Sequence, residues 1–189
     1  SVAIKVGSLV TGSLVNLESL AIEVRPDDVK QFKDITANLL NASKTLPNLK
    51  DLSLDTTAID EWENISSAIS TKQLMQLKSF ALTNDVEVPM SPIRDISFNN
   101  LMKALTPENL PNFEDFTLSC VKLSNTQAEL ASNIFSKFSK LKEFTITAMK
   151  ISSEGLIKII NGLKEGCPEL ETFGISLVKI DDLVVECFF

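Results

Sequence analysis

The sequence of 189 residues predicts an α/β solenoid, an arc of about six repeats with parallel strands inside and helices outside. A short unit of the form apolar-x-x-apolar-x-apolar recurs along the chain, and the segments between units show helical periodicity. One short strand followed by one helix cannot bury its own apolar side. Copies of the unit must therefore stack and share a continuous core.

The recurring unit predicts the strands. Its last two apolar positions alternate with one small or polar residue, which is the period of a strand. Successive units begin 32, 28, 36, 28 and 29 residues apart, so we expect repeats starting near residues 17, 49, 77, 113, 141 and 170. The units are Leu17-Leu20-Ile22, Leu49-Leu52-Leu54, Leu77-Phe80-Leu82, Phe113-Phe116-Leu118, Leu141-Phe144-Ile146 and Leu170-Phe173-Ile175.

The segments after the strands predict one-sided helices. Ser124 and Gln127 have the spacing of a capping box at a helix start. Gly166-Cys167-Pro168 is a stop signal, because Gly tolerates a left-handed turn and Pro cannot continue a helix. The apolar residues with i, i+3, i+4, i+7 spacing are Phe98, Leu101, Met102, Leu105 and Leu156, Ile159, Ile160, Leu163.

A stack of such repeats is expected to curve, because a helix is about 10 Å wide whereas strands lie about 4.8 Å apart. The main competing fold is a doubly wound sheet, which also alternates strands and helices. That fold predicts longer strands rich in Val and Ile, whereas these segments share one short template.

These residues resemble leucine-rich repeats of the helix-containing, ribonuclease-inhibitor-like type, from about Leu14 to Ile180. The segment Lys150–Leu156 is similar to the family's helix entry, and Gly166–Phe173 is similar to the helix-to-strand junction of repeats in F-box proteins. The chain departs from the family where Asn or Cys usually stands in the turn. It has Thr57, Val121, Met149 and Val178 there, so the internal side-chain hydrogen-bond ladder is missing or replaced.

The composition excludes several kinds of chemistry. The chain has 18 Lys and Arg, 25 Asp and Glu and no His, for a net charge of −7. Without His it cannot by itself form a His-based triad or a His-ligated metal site. Phosphate binding needs concentrated positive charge, so nucleic acid is not an expected partner. We expect no catalysis, no cofactor, no metal and no membrane span.

Cysteine usage bears on the compartment. Cys120, Cys167 and Cys187 are far apart and odd in number, which indicates buried thiols and an intracellular, cytoplasmic location. Two glycosylation sequons, at Asn41 and Asn64, favour the secreted alternative.

The inner face of the predicted sheet is the first candidate binding surface. Its eighteen positions are mostly small and polar, with neither an aromatic residue nor Arg among them. One interpretation is an electrostatically steered site for a basic protein partner, and the other is a solvated sheet surface without a partner. The ionised groups on this face are Glu23, Asp51, Asp55, Asp115 and Glu143.

The second candidate surface is an insertion at residues 85–94, in the longest repeat. Its apolar side chains would form a partner-binding ridge, held extended by Pro89 and Pro92. Alternatively, the insertion folds back over the helices and buries them. The apolar residues are Val86, Val88, Met90 and Ile93.

The C-terminal end is apolar where a solenoid needs a polar cap. Residues 180–189 finish in two Phe residues, so we expect further chain or another subunit to cover this end. For Trp62, the only Trp, we expect a packing role in the helix layer.

These observations favour a non-catalytic protein-interaction or scaffold module of a larger protein or assembly. The likeness of Gly166–Phe173 to F-box proteins implies an alternative, the substrate-recognition part of a ubiquitin ligase. A third possibility from the resemblance is a GTPase-activating regulator. Fold-level analogy does not choose among them.

Overall fold

A computed structural model describes residues 16–24, 46–56, 62–84, 92–176 and 180–187. Within these residues each of the six predicted units forms a strand, and the strands join in one all-parallel sheet. The strands are β1 (Ser19–Val24), β2 (Asp51–Thr56), β3 (Ser79–Asn84), β4 (Asp115–Lys122), β5 (Glu143–Lys150) and β6 (Thr172–Ser176).

The strand order is the order of the chain, β1-β2-β3-β4-β5-β6. A doubly wound sheet reverses its strand order at a switch point, and this sheet has no such reversal. Equivalent template positions pair directly across the sheet, as Leu52 does with Phe80 and Phe116 with Phe144. The fold is therefore an α/β arrangement with a singly wound parallel sheet.

Five helices alternate with these strands in the described residues, and consecutive helices contact each other. The predicted apolar stripes are buried: Leu101 and Met102 in one helix and Leu156 and Ile159 in another are fully inaccessible. The helices are α1 (Trp62–Ser70), α2 (Pro92–Ala104), α3 (Asn125–Phe135), α4 (Ser153–Gly166) and α5 (Asp182–Glu186).

Capping side chains fix the starts of the last three helices. Ser124 and Gln127 form the predicted capping box at α3. The Ser152 hydroxyl accepts the amide of Gly155 at α4, and the Asp181 carboxylate accepts the amide of Val184 at α5. Each cap satisfies an amide that would otherwise have no partner in the first turn.

Gly166 ends α4 as predicted, but the predicted left-handed turn is wrong. Gly166 is the last helical residue and has no positive φ. Glycine is required there for space instead, because a Cβ would lie 1.7 Å from the carbonyl oxygen of Ser136. The end of α4 thus lies directly against the end of α3.

The core lies between the sheet and the helices, and its centre is a row of phenylalanines. Along this row, the ring centroid of Phe116 lies 6.0 Å from that of Phe80 and 5.8 Å from that of Phe144. The centroid of Phe144 lies 5.9 Å from that of Phe173. Phe135 of α3 packs onto it at 4.6 Å from Phe116. Each fully buried Phe contributes about 1.5 to 3 kcal/mol of transfer free energy, so this row is a major source of stability.

Candidate functional site

The sheet face opposite the core is open, and its side chains form three straight columns. Strand pairing is in register, so equivalent positions of successive repeats are neighbours. The acidic column is Ser19, Asp51, Ser79, Asp115, Glu143 and Thr172; the small column is Ala21, Ser53, Ala81, Thr117, Thr145 and Gly174; the hydroxyl column is Glu23, Asp55, Thr83, Ser119, Thr147 and Ser176.

The acidic residues of the columns differ in exposure. Asp51, Asp55 and Glu143 are exposed, and Asp115 is half-buried. The backbone of Glu23 pairs with Asp55, while its side chain lies outside the described residues. Side chains alternate across a strand, so the buried Phe row on one face requires these polar columns on the other. The structure therefore brings Asp51, Asp115 and Glu143 into one column.

The environment of Asp115 on this face disfavours its ionised form. Partial burial raises its pKa, and the neighbouring carboxylate of Glu143 raises it further. Glu114 and Asp51 act in the same direction, and Lys142 opposes them. A carboxyl with a raised pKa is less stable as an anion than in water. At neutral pH, ionised Asp115 costs the fold stability.

A second line of charges borders the acidic column at the start of the strands. This charge row consists of residues at equivalent positions, and each backbone amide from Lys50 onward donates to the carbonyl of the preceding member. Its signs are mixed, whereas the ionised groups of the acidic column are all carboxylates. The charge row is Glu18, Lys50, Lys78, Glu114, Lys142 and Glu171.

Ion pairs link the charge row. The Lys50 ammonium lies 2.7 Å from Glu18, and Glu114 bridges Lys78 at 3.0 Å and Lys142 at 3.2 Å. Hydrogen bonds from Lys78 and Lys142 lower the pKa of Glu114. These lysines direct their ammonium groups to the charge row, and the acidic column keeps its negative character. Sequence reasoning missed this row, although its signal was present as Lys or Glu before every strand.

In the other two columns, residues of β5 and β6 are in close contact. A Cβ at Gly174 would lie 2.8 Å from the Thr145 hydroxyl oxygen, so glycine lets β5 and β6 approach there. In the hydroxyl column, the Thr147 and Ser176 oxygens are hydrogen-bonded at 2.8 Å. The middle of the face is thus a shallow floor between two more polar edges.

The insertion is only partly described. Val86, Val88 and Met90 lie outside the described residues. Ile93 belongs to the backbone of α2, so the prediction of a loop through residue 94 is wrong at its end. Proline is well tolerated in the first helical turn, which explains why α2 begins at Pro92.

Trp62 has the predicted packing role. Its side chain is 2% exposed, and its ring centroid lies 6.3 Å from that of Phe98 across α1 and α2. Its indole nitrogen is buried without a hydrogen-bond partner. Trp62 is therefore part of the core and offers no contact surface.

Of the cysteines, Cys167 is buried and Cys187 is half-buried. The Cys167 thiol donates to the Phe135 carbonyl at 3.1 Å, and burial raises its pKa to about 11. The Cys120 side chain lies outside the described residues. A buried thiol in apolar surroundings stays protonated, so Cys167 is unreactive at neutral pH.

A polar groove of about 320 Å³ lies between α3 and α4 on the helix side. No sequence pattern pointed to it. Its lining residues are Glu129, Ser132, Asn133, Ser136, Lys158, Asn161, Gly162 and Glu165.

Neither a metal cluster nor a membrane span is found in the described part of the chain. No three of its Cys, Asp and Glu residues converge as metal ligands, and none of its helices combines the length and apolar character needed to cross a bilayer. No protein-family model matches the sequence. No curated protein matches it either.

Proposed function

We propose that this chain is a non-catalytic protein-interaction module of the leucine-rich-repeat type, and that the open face of its sheet binds a basic partner. The repeat assignment is supported by the sequential, in-register parallel sheet with one strand and one helix per unit. The choice of the leucine-rich-repeat family is supported by the sequence resemblance between about Leu14 and Ile180.

The observation that carries the binding surface is the acidic column. Asp51, Asp115 and Glu143 project from neighbouring or next-neighbouring strands of one rigid sheet. Strands lie about 4.8 Å apart, so these carboxylates form a preorganised line of like charge. Lys or Arg side chains of a partner would complement it and steer the encounter.

Asp115 supports this proposal on energetic grounds. Its raised pKa means that the folded chain would be at least as stable without this charge at neutral pH. A solubilising role would be served equally well by a fully exposed position. A role in contacting a cationic partner accounts for a carboxylate at this half-buried place.

The test compares two charge-matched double variants in affinity capture from the parent cells, followed by affinity measurement on each captured partner. Asp115→Asn with Glu143→Gln removes two charges from the open face. Glu165→Gln with Glu169→Gln removes two from exposed positions off the sheet. We expect the first pair to weaken binding at least about five-fold and the control pair to leave it unchanged.

Retention of every partner by the open-face variant, with wild-type affinity, would overturn the proposal and favour the solvated-sheet interpretation. The insertion is tested separately by Val86→Ser, Val88→Ser and Met90→Ser. Deletion through Ile93 is unsuitable, because it would remove the first turn of α2. A partner set of ubiquitin-ligase adaptors, still bound by the open-face variant, would favour the F-box alternative instead.

A further inference from the structure

We propose that the first turns of α3, α4 and α5 are joined by a capping ladder, a conformational device that makes these three turns one cooperative element. In the ladder, Ser152 caps α4 and donates to Asn125 of α3, and Asp181 caps α5 and accepts from Ser153 of α4. This inference does not depend on what the open face binds. The ladder residues are Asn125, Ser152, Ser153, Glu154 and Asp181.

The first rung joins α3 to α4. Asn125, the first residue of α3, accepts a hydrogen bond from the Ser152 hydroxyl through its side-chain carbonyl. The same amide group donates to the Glu154 carboxylate at 2.9 Å. Both polar atoms of the Asn125 side chain therefore hold the start of α4.

The second rung joins α4 to α5. The Ser153 hydroxyl, on the first residue of α4, donates to one oxygen of the Asp181 carboxylate. The other oxygen accepts the backbone amide of Val184 at 3.1 Å. Asp181 thus caps α5 while it is held by α4.

The two rungs are coupled because Ser152 both caps α4 and bonds to α3, and because it is adjacent in the chain to Ser153 of the second rung. The Ser152 hydroxyl donates to Asn125 and accepts the Gly155 amide at 3.0 Å, which restricts it to one rotamer. Ser153 follows it directly in the chain. A shift of the first turn of α4 would therefore alter both rungs, and hydrogen-bonded groups that share a network are energetically coupled.

The far end of the ladder is a short, partly exposed helix. At the far end, α5 buries Val184 but exposes Leu183 at 62% and Val185 at 46%. Displacement or unfolding of α5 would consequently destabilise the first turn of α3 through the ladder.

Amide hydrogen exchange on the full chain tests this. Asn125→Ala breaks the first rung, and we expect about three- to ten-fold faster exchange at Val184, two helices away, the size of effect that loss of a side-chain hydrogen bond produces. Asn133→Ala is the matched control, since Asn133 is exposed on the same helix and outside the ladder. It should change exchange at Val184 less than two-fold.

The reciprocal variant provides an independent readout. Ser153→Ala breaks the second rung, and we expect faster exchange at Gln127 and Ala128 in α3, whereas the exposed control Ser139→Ala leaves them unchanged. If each variant affects only the helices that its own rung joins, the caps act locally and there is no cooperative ladder.

Discussion

Gly166→Ala is the substitution whose effect follows most directly from the geometry. The new Cβ would lie 1.7 Å from the carbonyl oxygen and 2.2 Å from the carbonyl carbon of Ser136. Both are backbone atoms, so no side-chain rotation relieves the overlap. The ends of α3 and α4 would have to separate by more than about 1 Å to restore ordinary contact.

The magnitude follows from two opposing terms. Forced overpacking of this kind costs about 3 kcal/mol. Replacing Gly by Ala in a helix returns at most about 1 kcal/mol. We therefore expect the free energy of unfolding to fall by about 2 kcal/mol, which for a chain of this length lowers Tm by about 4–8 °C.

The assay is urea unfolding followed by circular dichroism and by the fluorescence of the buried Trp62. Two probes are needed because α1 and α4 are far apart in the chain, and a chain whose elements contact mainly their neighbours does not always unfold in one step. Gly155→Ala is the matched control, since its Cβ would meet its nearest neighbours at 3.2 Å and require only a small adjustment. A Gly166→Ala variant as stable as Gly155→Ala would refute the close approach of the two helix ends.

Three further predictions concern ionisation and backbone strain. Burial and Glu143 raise the pKa of Asp115, so the contribution of this group to stability falls as pH rises through that pKa. Asp115→Asn should therefore be at least as stable as wild type near pH 7, and the advantage should vanish on acidification in a denaturation series; a less stable variant at neutral pH contradicts this. Burial raises the pKa of Cys167 to about 11, so the stability that the protonated thiol contributes below pH about 9 should be lost between pH about 9 and about 11. The difference in free energy of unfolding between wild type and Cys167→Ala should therefore shrink over that window. A constant difference would mean that the thiol ionises alike in the folded and unfolded states. Lys72 has a φ of 60°, a left-handed conformation that glycine adopts more readily, so Lys72→Gly should raise the free energy of unfolding by about 0.5–1 kcal/mol. The control Lys103→Gly, inside α2, should lower it. If both variants shift the thermal melt in the same direction, Lys72 is not strained.

The local patterns predicted most of the fold. All six apolar units became strands, the stripes through Leu101 and Leu156 became buried helix faces, and Ser124 with Gln127 formed its capping box. These features depend on side-chain periodicity and on hydrogen bonds within a few residues.

Two expectations differ from the structure. Gly166 was assigned a left-handed turn, but its need for glycine comes from Ser136, a residue in the preceding repeat. The start of α2 at Pro92 shortened the predicted insertion. The first outcome is decided by a distant segment, whereas the second follows from the local tolerance for proline in a first helical turn.

The sequence by itself determined the strand positions, the helix stripes and the acidic members of the open face, because alternation and helical period follow from backbone geometry alone. Only the tertiary structure decided how the repeats are aligned. Parallel pairing in register placed Asp115 beside Glu143 and Glu114 between Lys78 and Lys142, and helix packing joined the starts of α3, α4 and α5. The physical reason is that pKa shifts, ion pairs and steric limits depend on distances between repeats, which the packing of the shared core sets.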